Sequence, residues 1–254
     1  MIKVTILGCG ASTGVPSLNG GWGDCDGDNP KNKRSRSSII LEKDGMSLLI
    51  DMSPDLRQQL LDYGSSKVDA VILTHSHYDH VNGINELRSV FFEQNRLLPI
   101  YVSKNDMDSI KKSFFYLFEK KDPEIYKPYI ELHPIENVFT IGNISGICFE
   151  QNHGFSKSLG IRISDFAYST DVVSLSDENF EALSGVDTWV VDCLSMKNIR
   201  LTHAHLDLVL EWVKKINPRQ TFLTHMDTTM DYDILLKLLP KNIKPAYDQM
   251  TIWI

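Results

Sequence analysis

The chain has 254 residues, 42% of them apolar and 23% charged, with a formal net charge of −7. That much apolar material excludes a disordered or low-complexity chain. The acidic balance opposes non-specific capture of nucleic acid, which needs a basic face, so no stable nucleic-acid complex is expected.

No apolar run reaches the roughly 18 residues of a membrane span, and the opening Met1 to Gly8 lacks an apolar leader core, so a cytoplasmic protein with no membrane partner is expected. The cysteines Cys9, Cys25, Cys148 and Cys193 lie far apart without CxxC spacing, which argues against a disulfide framework or an all-cysteine zinc site.

In chain order, the first β-branched run, 2–7, leads into Gly8-Cys-Gly10-Ala-Ser12-Thr13-Gly14, a glycine-rich loop after a strand. Lys31 to Ser38 then concentrates basic residues, among them Arg34, which can draw an anionic substrate or simply form a solvated loop. A buried-strand pattern over 47–50 ends in Asp51, a carboxylate placed to cap a helix that starts at Pro54 and carries Leu56, Leu60 and Leu61. The run 68–73 ends in Thr74-His75-Ser76-His77-Tyr78-Asp79-His80. Segments 83–95 and 104–120 have helical character, and 84–130 is read as a helical insertion covering the site. Its rings, Phe91, Phe92, Phe114, Phe115, Tyr116, Phe118, Tyr126 and Tyr129, fill core, cover the site or meet a second copy in a homodimer.

The second half repeats the theme of strands that end in chemistry. The run 144–149 precedes His153, 166–168 precedes Asp171, 187–191 precedes Asp192, and 220–223 precedes His225. Asp192 reads as a strand-end turn acid ahead of a structural partner. Leu206, Val209, Leu210 and Val213 mark a helix at i, i+3, i+4, i+7 spacing, with 231–239 a weaker one and 250–254 a last strand. Strands and helices alternate without a Pro/Gly/Ser linker, so 1–254 is expected to be one α/β domain with helix-covered sheets.

Residues 75–80 put four potential ligands into six positions. Two imidazoles at i, i+2 in extended chain converge on one ion, and Asp79 and His80 after the turn serve a second. A His/Asp set without Cys marks an open, catalytic metal site, and this donor mixture suits Zn or Mn. Ser76, His77 and Asp79 are too close in sequence for the relayed geometry of a nucleophilic triad.

His75-Ser-His77-Tyr-Asp79-His80, followed in order by His153, Asp171 and His225, resembles the HxHxDH pattern of the metallo-β-lactamase-fold hydrolases. The resemblance implies a four-layer αβ/βα sandwich holding two divalent metal ions, Zn or Mn. His75, His77 and His153 would hold one ion, Asp79, His80 and His225 the other, and Asp171 would bridge them. Asp51 would orient a ligand histidine. Two cations about 3.5–4 Å apart acidify a bridging water and polarise an ester, so a bridging hydroxide can hydrolyse it without a protein nucleophile.

Within the superfamily the glycine loop, Ile50-Asp51-Met-Ser-Pro-Asp55-Leu-Arg57 and Pro245-Ala-Tyr247-Asp248 resemble the phosphoribosyl cyclic phosphodiesterase branch. Cys25 stands where members of that branch carry a cysteine-rich zinc site. The resemblance implies hydrolysis of a small phosphodiester of the cyclic-nucleotide or ribose cyclic phosphate type. Asp79 and His203 would be catalytic, with His203 or its rival His205 protonating the leaving oxygen. Ser12, Thr13, Arg34 and His205 would meet the small phosphorylated substrate. A tRNA 3′-processing endonuclease and a lactone or thioester hydrolase are the alternatives of the same fold.

Overall fold

The computed structural model describes residues 1–118, 128–197 and 199–254. One sheet takes β1 (Lys3–Gly8), β2 (Ser38–Lys43), β3 (Met46–Ile50), β4 (Ala70–Ile72), β5 (Leu98–Val102) and β6 (Ile130–Pro134). The other takes β7 (Val138–Ile141), β8 (Ile144–His153), β9 (Ser156–Ile163), β10 (Phe166–Ser169), β11 (Thr188–Asp192), β12 (Gln220–Thr224) and β13 (Ile243–Pro245). The last strand, β14 (Met250–Trp253), returns to pair antiparallel with β1, so the spatial orders are β14-β1-β2-β3-β4-β5-β6 and β13-β12-β11-β10-β9-β8-β7. The helices are α1 (Leu56–Tyr63), α2 (Tyr78–Val81), α3 (Leu87–Gln94), α4 (Lys104–Ser113), α5 (Asp177–Leu183), α6 (Leu206–Ile216) and α7 (Tyr232–Leu238).

Side-chain alternation explains the layering. On β2 and β3, Ile39, Leu41, Leu48 and Ile50 enter the core shared by the two sheets. Their neighbours Ile40 and Leu49 enter a second cluster with Leu56 and Leu60 of α1, Leu87 and Val90 of α3 and Ile110 of α4. Strands buried on both faces must be apolar throughout, which is why these read as continuous hydrophobic runs. On the second sheet α6 buries Leu206, Val209, Trp212 and Val213, and the Trp212 ring meets Trp189 at 6.5 Å. The result is the four-layer αβ/βα sandwich.

Strand direction then assembles one edge. β3 to β6 run parallel, as do β10 to β13, and β8 shares the direction of β10 because both oppose β9. The two sheets are joined at that edge where Ala11, after β1, donates its N–H to the Met226 carbonyl after β12 at 3.0 Å.

The segment 84–130 is not a helical insertion. β5 lies within it and pairs with β4 and β6 as an integral strand, because Leu98, Ile100 and Val102 supply alternate buried positions. Phe114 and Tyr129 are buried and Phe91, Tyr116 and Phe118 pack beside them, so these rings fill core, while Phe92 and Phe115 are exposed. Tyr126 lies outside the described residues, as does the rest of 119–127. Among the described residues no helix is long and apolar enough to cross a membrane.

Candidate metal centre

Each sheet contributes half of a buried cluster at the shared edge. After β4 the chain runs extended through His75 and His77, and α2 begins immediately, which turns Asp79 and His80 back towards the first two rings. His153 ends β8, Asp171 follows β10, and His225 follows β12. Two donor groups form, one of His75, His77, His153 and Asp171 and one of Asp79, His80, Asp171 and His225, the candidate ligand atoms within each lying within 4.8 Å of one another.

Asp171 belongs to both groups, and its two oxygens divide between them. Oδ1 lies 3.8 Å from His75 Nε2 and 3.6 Å from His153 Nε2, whereas Oδ2 lies 3.1 Å from His80 Nε2 and 3.5 Å from His225 Nε2. Asp79 Oδ2 faces His80 Nε2 at 3.3 Å and His225 Nε2 at 3.4 Å.

The ring nitrogens turned away from the cluster are tethered. His80 Nδ1 pairs with Asp51 Oδ2 at 2.7 Å, His153 Nδ1 donates to the Thr202 carbonyl at 2.7 Å, and His75 Nδ1 meets Thr74 Oγ1 at 3.1 Å. Asp51 also accepts from Thr74 N and Thr74 Oγ1. Such tethers fix the tautomer, leaving the opposite nitrogen as a lone-pair donor.

These residues fit a pair of cations. Among the described residues, Nε2 of His75 and of His80 are buried without a well-formed hydrogen bond, His80 Nε2 having only the carboxylates of Asp171 and Asp79 near it, a costly state unless something else accepts their lone pairs. Asp51, Asp79 and Asp171 are each no more than 4% exposed, and buried carboxylates demand counter-charge. Burial lowers the pKa of His75 strongly and that of His153 as well, which favours neutral rings able to donate a lone pair. Burial also opposes charge on His80 and His225, yet Asp171, Asp51 and Asp79 outweigh it at His80, and Asp171 and Asp79 hold His225 up at about 9. Those two sites favour positive charge, which a divalent ion supplies in place of protons.

A third group extends the cluster. His203 Nδ1 pairs with Asp192 Oδ2 at 2.9 Å, its ring stacks 4.7 Å from His225, and its Nε2 lies 3.9 Å from Asp171 Oδ1. Asp192 is fully buried and also accepts from Val172 N at 3.0 Å. It is therefore more than a turn acid. Its position at the end of an apolar strand was the available signal, and its histidine partner was hidden by sequence distance. Thr74 was likewise invisible, because a lone threonine carries no chemical pattern.

The expected substrate residues divide. Ser12 is half-buried and Thr13 exposed on the loop after β1, where the Ser12 carbonyl accepts from Tyr78 Oη beside His77. In the glycine loop the N–H groups of Cys9, Gly10, Ala11 and Gly14 are all spent on internal acceptors, so they are not free to meet a phosphate. Arg34 does not face the site. It is buried, donating to the Met230 carbonyl at 2.6 Å and to Asn32 Oδ1 at 3.1 Å, because a guanidinium inside the protein must satisfy its donors locally. His205 is the N-cap residue of α6, and of the two imidazoles it is His203 that enters the cluster.

The family model described as a beta-lactamase superfamily domain matches residues 47–226. A solved diphosphatase from the PhnP family superposes with a TM-score of 0.91 at 28% identity, covering 100% of this chain and 98% of that one. Zn(2+)-bound PqqB from Methylobacterium extorquens superposes with a TM-score of 0.79 at 19% identity, covering 99% and 100%, a likeness of fold. An octanoyltransferase of Porphyromonas gingivalis is 30% identical over 251 residues, 97% of this chain and 50% of that protein. The chain spans about half the length, or less, of the curated relatives it matches.

Proposed function

The chain belongs to the beta-lactamase superfamily, as a metal-dependent hydrolase of the metallo-β-lactamase fold, and on that premise we propose that it hydrolyses small phosphodiesters, cyclic nucleotide or ribose cyclic phosphate esters among them. The observation that carries this reading is the shared carboxylate Asp171 between two donor groups with the His203–Asp192 pair at its side. The full-length likeness to a diphosphatase supports a phosphorus centre as the target and widens the substrates to diphosphate esters.

His75, His77, His153 and Asp171 would hold one divalent ion, Zn or Mn, and Asp79, His80, Asp171 and His225 the other. A bound ion pair supplies charge that polarises phosphoryl oxygens and acidifies water. The protein's own contribution is orientation and proton transfer. Asp192 fixes His203 through Nδ1, which turns Nε2 to the side facing Asp171 as the atom that would carry the proton. Passing that proton to the departing alcohol oxygen is general-acid work worth about 10²–10⁴ in rate. Ser12 and Thr13 border the open side beside His77 and Tyr78, where a phosphoryl oxygen would enter.

The test is direct. Protein loaded with Mn or Zn should cleave bis(p-nitrophenyl) phosphate, and His203→Ala should lower kcat by about 10²–10⁴ with metal content unchanged. A wild-type protein that holds two ions yet cleaves no phosphodiester or diphosphate ester defeats the reading.

A further inference from the structure

The imidazoles of the cluster are held in place by unequal means. His75, His80, His153 and His203 each have a tethered Nδ1, and His225, with only a 4.0 Å approach to Asp192, is fully buried and stacked on the His80 and His203 rings. His77 has neither support. It is exposed, its Nδ1 faces His153 Nε2 at 3.2 Å, and among the described residues no acceptor holds its other nitrogen. Beyond its ring contacts with His75 at 4.4 Å and His153 at 5.0 Å, its position comes from its backbone.

On the C-terminal side that backbone is fixed where the His77 carbonyl accepts from His80 N at 3.0 Å in the first turn of α2. On the other side stands Ser76, whose Oγ donates to Asp106 Oδ1 at 2.7 Å. Asp106 in turn accepts from Ser103 Oγ at 2.7 Å through Oδ2 and donates its own N–H to the same hydroxyl at 3.1 Å. Ser103 caps α4 directly after β5, and β5 braces the end of β4 where Leu73 N donates to the Tyr101 carbonyl at 2.9 Å. The ligand loop is thus clamped to a neighbouring strand and helix by one carboxylate carrying two hydroxyls.

We infer that Asp106, acting through Ser76, is a positioning residue for the ion held by His75, His77, His153 and Asp171, and has no comparable hold on the ion of Asp79, His80 and His225. The inference rests on the metal-site reading above and concerns unequal retention of the two ions. Losing the clamp frees the Ser76 backbone, His77 wanders, and the first group loses a ligand. The second group keeps Asp51 behind His80 and the burial of His225.

The experiment is competition of Zn(2+) between the full chain and a chromophoric chelator, read as two dissociation constants, for wild type, Asp106→Ala, Asp106→Asn, Ser76→Ala and the double Ala variant. Loss of an outer-shell partner costs about 10–100-fold in metal affinity. Asp106→Ala and Ser76→Ala should each weaken one ion by at least about tenfold and leave the other within about threefold. The double variant should be no worse than either single, as expected of two ends of one interaction. Asp106→Asn, which keeps an acceptor for Ser76, should stay near wild type. Unchanged affinities in both Ala variants, equal weakening of both ions, or additive losses in the double variant overturn the inference. Metal-free melting separates the cases: a clamp acting on His77 alone leaves it nearly unmoved, whereas a large drop in both Ala variants also counts against it. A wild-type protein that binds two ions without phosphoesterase activity defeats only the substrate reading, and one that binds none defeats the metal centre itself.

Discussion

Asp51, Asp171 and His225 all occupy left-handed backbone, with φ of 64°, 54° and 56°. Asp51 and His225 follow a strand directly and Asp171 lies two residues after one, and the turn swings each side chain off the sheet edge towards the cluster. Left-handed backbone costs a residue with a Cβ about 1–2 kcal/mol, so three such positions in one site are strain maintained for geometry. At Asp51 the consequence separates two substitutions. Both Asp51→Ala and Asp51→Gly orphan the donors of Thr74 and His80 Nδ1, at about 1–3 kcal/mol per buried group. Ala also retains the left-handed penalty that Gly escapes. Denaturant unfolding of the metal-free protein should therefore rank wild type above Gly and Gly above Ala, the last step by about 1 kcal/mol. Asp248 offers a test in pH. Burial raises its carboxyl to about 6 against the bonds it accepts from Ser35 and Cys9. A raised carboxyl is stabilising relative to the unfolded chain only while protonated. Stability is thus fully present below pH 4 and is lost as pH climbs through 6, up to about 3 kcal/mol in all. The stability difference between wild type and Asp248→Asn, which cannot titrate, should shift against wild type by that amount between pH 4 and 7.5. A flat difference would show that Asp248 stays ionised throughout.

At the scale of elements, loops between strands carry the site, and one contact couples two of them. Gly154, at the turn after β8, has φ of +72°, and a Cβ there would sit 2.5 Å from the Leu201 carbonyl oxygen. The same loop supplies the Thr202 carbonyl to His153 and then His203. Gly154→Ala should force the loops apart, costing about 1–2 kcal/mol from the backbone conformation alone. Activity on bis(p-nitrophenyl) phosphate should fall at least about tenfold, because the displaced loop carries both His203 and the Thr202 carbonyl that tethers His153. An unchanged kcat would mean that the loops yield without displacing His203. The elements legible in the sequence were those whose strands are buried on both faces, such as β3, β4, β11 and β12. β9 was not legible, because Ser156-Lys-Ser158-Leu-Gly160 breaks the apolar pattern. Its Gly160 is needed where the Phe149 ring lies 2.3 Å from a would-be Cβ. β2 was hidden by the basic run before it, and β5 by Pro99. The ligands were legible because imidazoles clustered in six residues have few other uses. The tethers were not, since Thr74, Ser76 and the Thr202 carbonyl acquire meaning only from their partners in space.

Across the whole molecule the centre is a seam. His75, His77, Asp79 and His80 hang from the first sheet, and His153, Asp171 and His225 from the second, so neither half of the chain contains a complete donor group. The bridge from Ala11 to Met226 also crosses that seam, while the pairing of β14 with β1 brings the end of the chain back to the first sheet, and no local pattern in the sequence reveals such long-range closures. An ion bound across two layers stabilises the folded state by mass action, because the unfolded chain cannot assemble the ligands: about 2.7 kcal/mol for each ion present at 100 times its dissociation constant. For a chain of this size 1 kcal/mol moves the melting temperature by about 2–4 °C. Chelation should therefore lower Tm by roughly 5–10 °C per ion removed, and readdition of Zn or Mn should restore it. Asp171→Asn weakens the one carboxylate common to both groups, so its Tm should respond far less to metal than that of a variant crippled in one group alone, such as His225→Ala. Equal metal responses in those two variants would show that Asp171 is not shared.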